Sequence, residues 1–204
     1  MNIDIKLHKD DLPEDLNLGN TIAVDGEFMG LNFSRDPLCL LQISSGNMDA
    51  HIVQLNRETY KAPNLIKFLS DSSTLFIMHY ARQDLLWLKY HLKVEPKNIF
   101  CTKVASKIAR TASSMHGYKD LVKELCGKDI SKKEQQSDWG DPNLSDKQIS
   151  YAAQDTEYLF EIKDKLTKML IREKRINLFT KCMEVIPTLV DMEISGYKLE
   201  TFEH

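Results

Sequence analysis

Residues 21–28 run TIAVDGEF. A strand places alternate side chains on opposite faces, so Asp25 and Glu27 share one face while Ile22 and Val24 point the other way, into a core. Two further apolar runs follow at short intervals, LCLLQISS at 38–45 and AHIVQL at 50–55. The turn formers Ser45, Gly46 and Asn47 between them predict an antiparallel meander of three strands. Downstream the pattern changes. PNLIKFLS (63–70) opens on a proline suited to a first helical turn, TLFIMHY (74–80) is a compact apolar strand, and ARQDLLWLKYHL (81–92) has helical periodicity. IFCTKVASKIAR (99–110) begins as a fifth strand and turns helical, and GYKDLVKELCG (117–127) is a helix ended by Gly127. After the loop KDISKKEQQSDWGDPN, Ser145 caps a long helix running to residue 174. A last helical pattern, 175–195, contains Pro187, which is expected to kink it. The order predicts an α/β fold: a mixed five-stranded sheet flanked by helices over 1–172, with a C-terminal helical extension over 173–204.

The chain has 204 residues, 42% hydrophobic, and a net charge of −3. That supports one domain with a sizeable core. Proteins that grip long nucleic acid through its phosphates carry a basic surface, so a nucleic-acid substrate here is expected to be short or locally held. Cys39, Cys101, Cys126 and Cys182 form no C-x-x-C pair, which argues against a zinc site. With no signal peptide and no apolar run of membrane-spanning length, the expectation is a cytoplasmic protein with reduced thiols and no membrane partner.

Four acids and a tyrosine carry the chemistry. Asp25 and Glu27 stand side by side at a strand end, Asp84 lies near the start of the helix after the fourth strand, and Tyr151 and Asp155 stack four apart on one helical face. Each has a plain structural explanation when taken alone: a strand entering a polar loop, a helix-dipole partner, a common helical spacing. Together they are a set of carboxylates able to hold two hard cations, Mg²⁺ or Mn²⁺. Two-metal phosphodiester hydrolysis needs such a set together with a directed water. Tyrosine, with a reference pKa of about 10, is too weak a base to accept the proton but can orient the attack.

These residues resemble the tyrosine-containing branch of the DEDD exonuclease superfamily. The resemblance lies in Asp25-Gly26-Glu27, in Asp84 within HYARQDLLWL, in Tyr151-Ala-Ala-Gln-Asp155, and in LVKELCGKDISKKEQQSDWGDPNLSDKQISYAAQDTEYL and LCLLQIS, which are similar to ribonuclease D-like domains. FCTKVASKIART, HGYKDLVKEL and the single helical extension resemble the short bacterial nano-RNase C enzymes. The resemblance implies an RNase H-like fold and two-metal 3′→5′ attack. Asp25 would bridge the metals, Glu27 and Asp155 would complete one shell, Asp84 would support the other, and Tyr151 would orient the water. It further implies a preference for RNA dinucleotides, released as 5′-mononucleotides, and homo-oligomers including octameric rings. Two rivals stand beside it: a ribonuclease D-like exonuclease trimming longer RNA or DNA, and a non-catalytic nucleic-acid-binding module. Gly26 stands where threonine is common in the family, and His79 where many ribonuclease D relatives have asparagine. The first, being of opposite parity to the acids, need not touch metal.

Further candidates follow. Leu31 is read either as a wedge between the last two bases or as a turn residue capping the core. Phe28 and Met29 neighbour it and are read as a base pocket, Phe28 equally as core, and Gly26 is a further candidate to face substrate. His79 and Gln83 flank Asp84 and are candidates to face substrate. Trp139 in SDWG is expected to anchor the loop before the catalytic helix. Arg110, Ser113, His116 and Lys119 form a polar, partly basic stretch, read either as a cap on a 5′-phosphate, in this subunit or across a subunit boundary, or as a solvated loop. The run Lys132-Lys133-Glu134 is read as solvent-facing. Broad apolar coverage over 176–194 favours packing on the domain or on a neighbouring copy.

Overall fold

The computed structural model describes residues 3–131 and 133–202. Its strands are β1 (Asp4–Lys9), β2 (Thr21–Phe28), β3 (Leu38–Ser44), β4 (Asp49–Gln54), β5 (Leu75–Met78) and β6 (Asn98–Cys101). They form one mixed sheet in the order β1-β4-β3-β2-β5-β6. The predicted meander is present: β2 pairs antiparallel with β3, and β3 with β4. β5 and β6 extend it in parallel from β2. The helices are α1 (Pro63–Leu69), α2 (Ala81–Trp87), α3 (Thr102–Ala109), α4 (Tyr118–Leu121), α5 (Asp146–Glu157), α6 (Leu159–Arg172) and α7 (Ile176–Ile194).

Two features depart from the sequence reading. A sixth strand, β1, adds to the sheet edge parallel to β4, pairing Asp4 with Asp49 through to Lys9 with Gln54. Its residues DIKLHK are mostly polar and exposed, as edge strands are, so no apolar run marks it. The long helix expected after Ser145 is two helices, interrupted at Tyr158. α7 runs through Pro187 as one helix. The expected caps are in place: the Ser145 and Gln148 side chains reciprocally cap α5, and Gly127 (φ 67°) ends the turn after α4. Lys132 lies outside the described residues; Lys133 is exposed and Glu134 half-buried.

Two apolar layers hold the acids in place. On one side Ile22, Val24, Ile43, Val53 and Leu65 are fully buried in the main core. On the other, Ala152 and Ala153 let α5 lie close on Leu40, Ala50 and Ile52. Small residues permit this approach, and α5 thereby brings its polar face to the end of β2. Across the sheet, α7 packs on α2, α3 and β6. The ion pair Arg82–Glu193 ties it to α2, which carries Asp84, and Lys89–Asp191 ties it to the helical turn that follows, 88–92. No helix among the described residues is long and apolar enough to cross a membrane. The four cysteines are free.

Candidate active site

The end of β2, the start of α2 and the exposed face of α5 close around a cleft of about 730 Å³. Asp25, Glu27 and Asp155 each offer an oxygen, all within 4.8 Å of one another. Asp84 joins from α2; its Oδ1 lies 3.5 Å from where a β-carbon on Gly26 would sit. Its Oδ2 is buried without a hydrogen-bond partner. Desolvation in the cleft pushes the Asp25, Glu27 and Asp84 carboxyls well above the usual carboxylate range. The charges of Asp84, Asp155 and Glu27 raise Asp25 further, while the Gly26 amide donates to it and to Asp84 and partly offsets the effect. The cluster brings converging hard oxygens, one of them the unpartnered Asp84 Oδ2, into a partly dry cleft. Divalent cations with oxygen preference fit it; Asp25, Glu27 and Asp155 could hold such an ion directly, with Asp84 beside them.

Tyr151 lines the same cleft and its hydroxyl hydrogen-bonds the Asp155 carboxylate. Burial first, then the charges of Asp155, Glu27 and Asp25, raises its pKa strongly. The phenol therefore stays protonated at neutral pH and can steer a water but not deprotonate it. Trp139 is buried with its ring 5.9 Å from that of Tyr151, as expected of an anchor. Its loop is tied down by Gln148 Nε2 donating to the Asp138 carbonyl at 3.0 Å and by Arg57 donating to the Gly140 carbonyl at 2.7 Å.

Most candidate substrate residues line the cleft: Gly26, Phe28, Leu31, His79, Gln83 and Lys119. Leu31 is 87% exposed, so it does not cap the core. The Asp36 carboxylate accepts the Leu31 and Asn32 amides and holds this lip in shape. Phe28 both lines the cleft and packs at a tilt against Trp87, centroids 4.3 Å apart. Its ring lies where a side chain at 26 would begin, 3.0 Å from a β-carbon there. Glycine at 26 thus goes with the ring's placement. His79 faces the cleft but is also engaged inward, Nδ1 2.9 Å from Thr102 Oγ1.

Arg110, Ser113 and His116 do not line this cleft. Arg110 pairs with Glu124 and donates to the Ser106 hydroxyl and the Met115 carbonyl, both at 3.0 Å. His116 Nδ1 lies 2.8 Å from Ser106 Oγ. Arg110 and Ser113 border a separate depression of about 510 Å³ with Glu173 and Arg175. Of the four-residue polar stretch only Lys119 faces the acids of its own chain, because α4 begins between His116 and Lys119 and turns the backbone. The sequence reading missed Tyr80, Lys103 and Tyr118 in the cleft wall. Tyr80 adjoins the flagged His79, and Lys103 lies in the flagged FCTKVASKIART. Lys103 Nζ sits 3.9 Å above the centre of the Tyr80 ring, a contact that no spacing signals.

The geometry can be set against known proteins. A family model described as 3′-5′ exonuclease matches residues 3–171. The chain belongs to the 3′-5′ exonuclease family. Within the DEDD superfamily, the similar solved structures include Brucella melitensis NrnC bound to pGG, 38% identical over the full length of both chains with a TM-score of 0.95. NrnC of the same organism with bound Mg²⁺ is 39% identical over 95% of this chain and 94% of that one, TM-score 0.90. Among curated proteins, a ribonuclease D of Xanthomonas oryzae pv. oryzae is 32% identical over 83% of this chain but 46% of its own length. The chain spans less than half the length of the curated ribonucleases D it matches first. DEDD exonucleases use divalent metals, which the carboxylate cluster fits.

Proposed function

We propose that this chain is a metal-dependent 3′→5′ exoribonuclease that hydrolyses very short RNA, dinucleotides above all, to 5′-mononucleotides. The observation that carries the reading is the convergence of Asp25, Glu27 and Asp155 within 4.8 Å, with Asp84 beside them and the Tyr151 hydroxyl on Asp155. Two divalent ions, Mg²⁺ or Mn²⁺, would supply charge stabilisation for the attacking and leaving oxygens and a more acidic water. The chain's own residues do the rest. Asp25, Glu27, Asp84 and Asp155 hold the ions, and Tyr151 fixes the line of attack by hydrogen bonding. Leu31 and Phe28 take the terminal bases at the cleft lip, and Lys119 meets a phosphate. The enclosed volume is in the range of small-ligand sites, and end-to-end likeness to a protein solved with pGG supports a short substrate.

The rival within the same chemistry is trimming of longer RNA, suggested by the ribonuclease D likeness. Turnover of RNAs of two, three and seven nucleotides in Mg²⁺ separates them. A steep fall from two to seven nucleotides is expected; a flat or rising profile would favour the rival.

We also infer a homo-oligomer. The outer side of α7 and the end of α6 expose Ile171, Leu178 and Val185 while the inner side is already buried on the domain. Leu178 and Val185, seven apart on α7, share one face of that helix. Light scattering at micromolar concentration should give a mass several times that of one chain, and a monomeric mass would refute the inference. In an oligomer of this kind Arg110, Ser113 and His116 remain candidates for a phosphate cap across a subunit boundary, and the cellular site expected is the cytoplasm.

A further inference from the structure

One hydroxyl interrupts the helical segment that carries Tyr151 and Asp155. Tyr118 Oη donates to the Gln154 carbonyl at 2.9 Å and accepts from the Tyr158 N–H at 3.2 Å. In an unbroken helix those two backbone groups would bond each other. Here the phenol stands between them, α5 ends at Glu157, and Tyr158 leaves helical geometry at φ −101°, ψ 1°. Insertion of a side chain into the backbone ladder is one of the few physical causes of a sharp helix break. The break lets the two helices take different neighbours. α5 lies on β2, β3 and β4, while α6 turns to α3 and β5.

The Gln154 carbonyl shares its rigid peptide plane with the Asp155 nitrogen. Tyr118 therefore grips the peptide group one bond from the Asp155 α-carbon. Its ring lines the cleft and lies 5.7 Å from His79, whose Nδ1 is in turn 2.9 Å from Thr102 Oγ1. The phenol is thus held from the α3 side as well as from its own helix. Burial, with smaller contributions from the charges of Asp155 and Asp25, keeps it protonated and able to donate. A straight helix through 145–172 would close the Gln154–Tyr158 bond, release the Gln154 carbonyl from Tyr118 and carry α6 away from α3 and β5.

We propose that Tyr118 is the positioning residue for Asp155: its inserted hydroxyl breaks the helix and sets the peptide that carries the Asp155 carboxylate to Asp25 and Glu27. The inference rests on the exonuclease reading above. Its test is Tyr118→Phe, which keeps the ring and removes only the hydroxyl. Misplacement by about 1 Å can cost about 10²-fold, so kcat is expected to fall about tenfold or more, with KM for a dinucleotide changed less than about twofold. Mn²⁺ binding without RNA, followed by calorimetry or electron paramagnetic resonance, is expected to weaken about fivefold or more. The same substitution placed on Asp155→Ala should leave Mn²⁺ affinity within about twofold, since residues acting through one group are not additive. Unchanged Mn²⁺ affinity in the otherwise native chain, equal weakening in both backgrounds, or failure of Tyr118→Phe to fold would each overturn the positioning role. A native chain that cleaves no RNA defeats the exonuclease reading instead. A native chain that is active, with Tyr118→Phe indifferent, defeats this inference alone.

Discussion

Asp25→Asn is expected to abolish RNA turnover, by at least about 10³-fold, given the several kcal/mol that metal-borne charge stabilisation supplies, while making the metal-free protein more stable. Asp25 sits among three other acids, and its carboxyl is pushed up first by desolvation and then by Asp84, Asp155 and Glu27. A group whose folded pKa is raised contributes stability that is present at low pH and lost as pH rises through the folded value. The metal-free native chain should therefore lose stability as pH climbs above the ordinary carboxylate range. The amide substitution removes one of the repelling charges at nearly constant volume. Each kcal/mol of relief raises Tm by about 2–4 °C in a chain of this size, so the gap between variant and native chain in chelator should widen from acid to neutral pH. Mg²⁺ or Mn²⁺ should raise the native Tm most at neutral pH, where the site is charged, and raise the variant's less. Thermal unfolding with chelator and with metal measures all of this. A variant no more stable than the native chain at neutral pH would mean that the acids are not in mutual conflict.

Tyr151→Phe carries the second large effect. The hydroxyl bonds Asp155 inside the cleft and is held protonated there, so its role is to orient the water. Loss of one orienting group typically costs about 10²-fold, and that loss is expected in kcat, with KM changed by less than about threefold. The pH–rate profile should keep its shape, because Tyr151 does not titrate in the working range. Loss confined to KM would instead make Tyr151 a substrate contact.

How legible these features were in the sequence depends on the distance over which each is determined. Asp25 and Glu27 could be paired from period two alone, and Tyr151 with Asp155 from the helical i, i+4 spacing, because both are local rules. Bringing the two pairs together needed the sheet order and the close approach that Ala152 and Ala153 permit, which the joint motif pattern anticipated. β1 escaped notice because its strand character comes from pairing with β4 rather than from its own apolar content. The break at Tyr158 escaped for a related reason: the residue that causes it, Tyr118, lies 40 positions away. Arg110, Ser113, His116 and Lys119 looked like one basic patch in sequence, yet the start of α4 sends Lys119 to the cleft and leaves Arg110 on Glu124. Charge along a chain does not state which way each side chain faces.

The most direct measurement is hydrolysis of a 5′-phosphorylated RNA dinucleotide by metal-stripped protein, with Mg²⁺ or Mn²⁺ added back. Release of 5′-mononucleotides that appears only with metal, and disappears again in excess chelator, is the expected result. Cleavage that persists in chelator, or no cleavage with either metal, would contradict it.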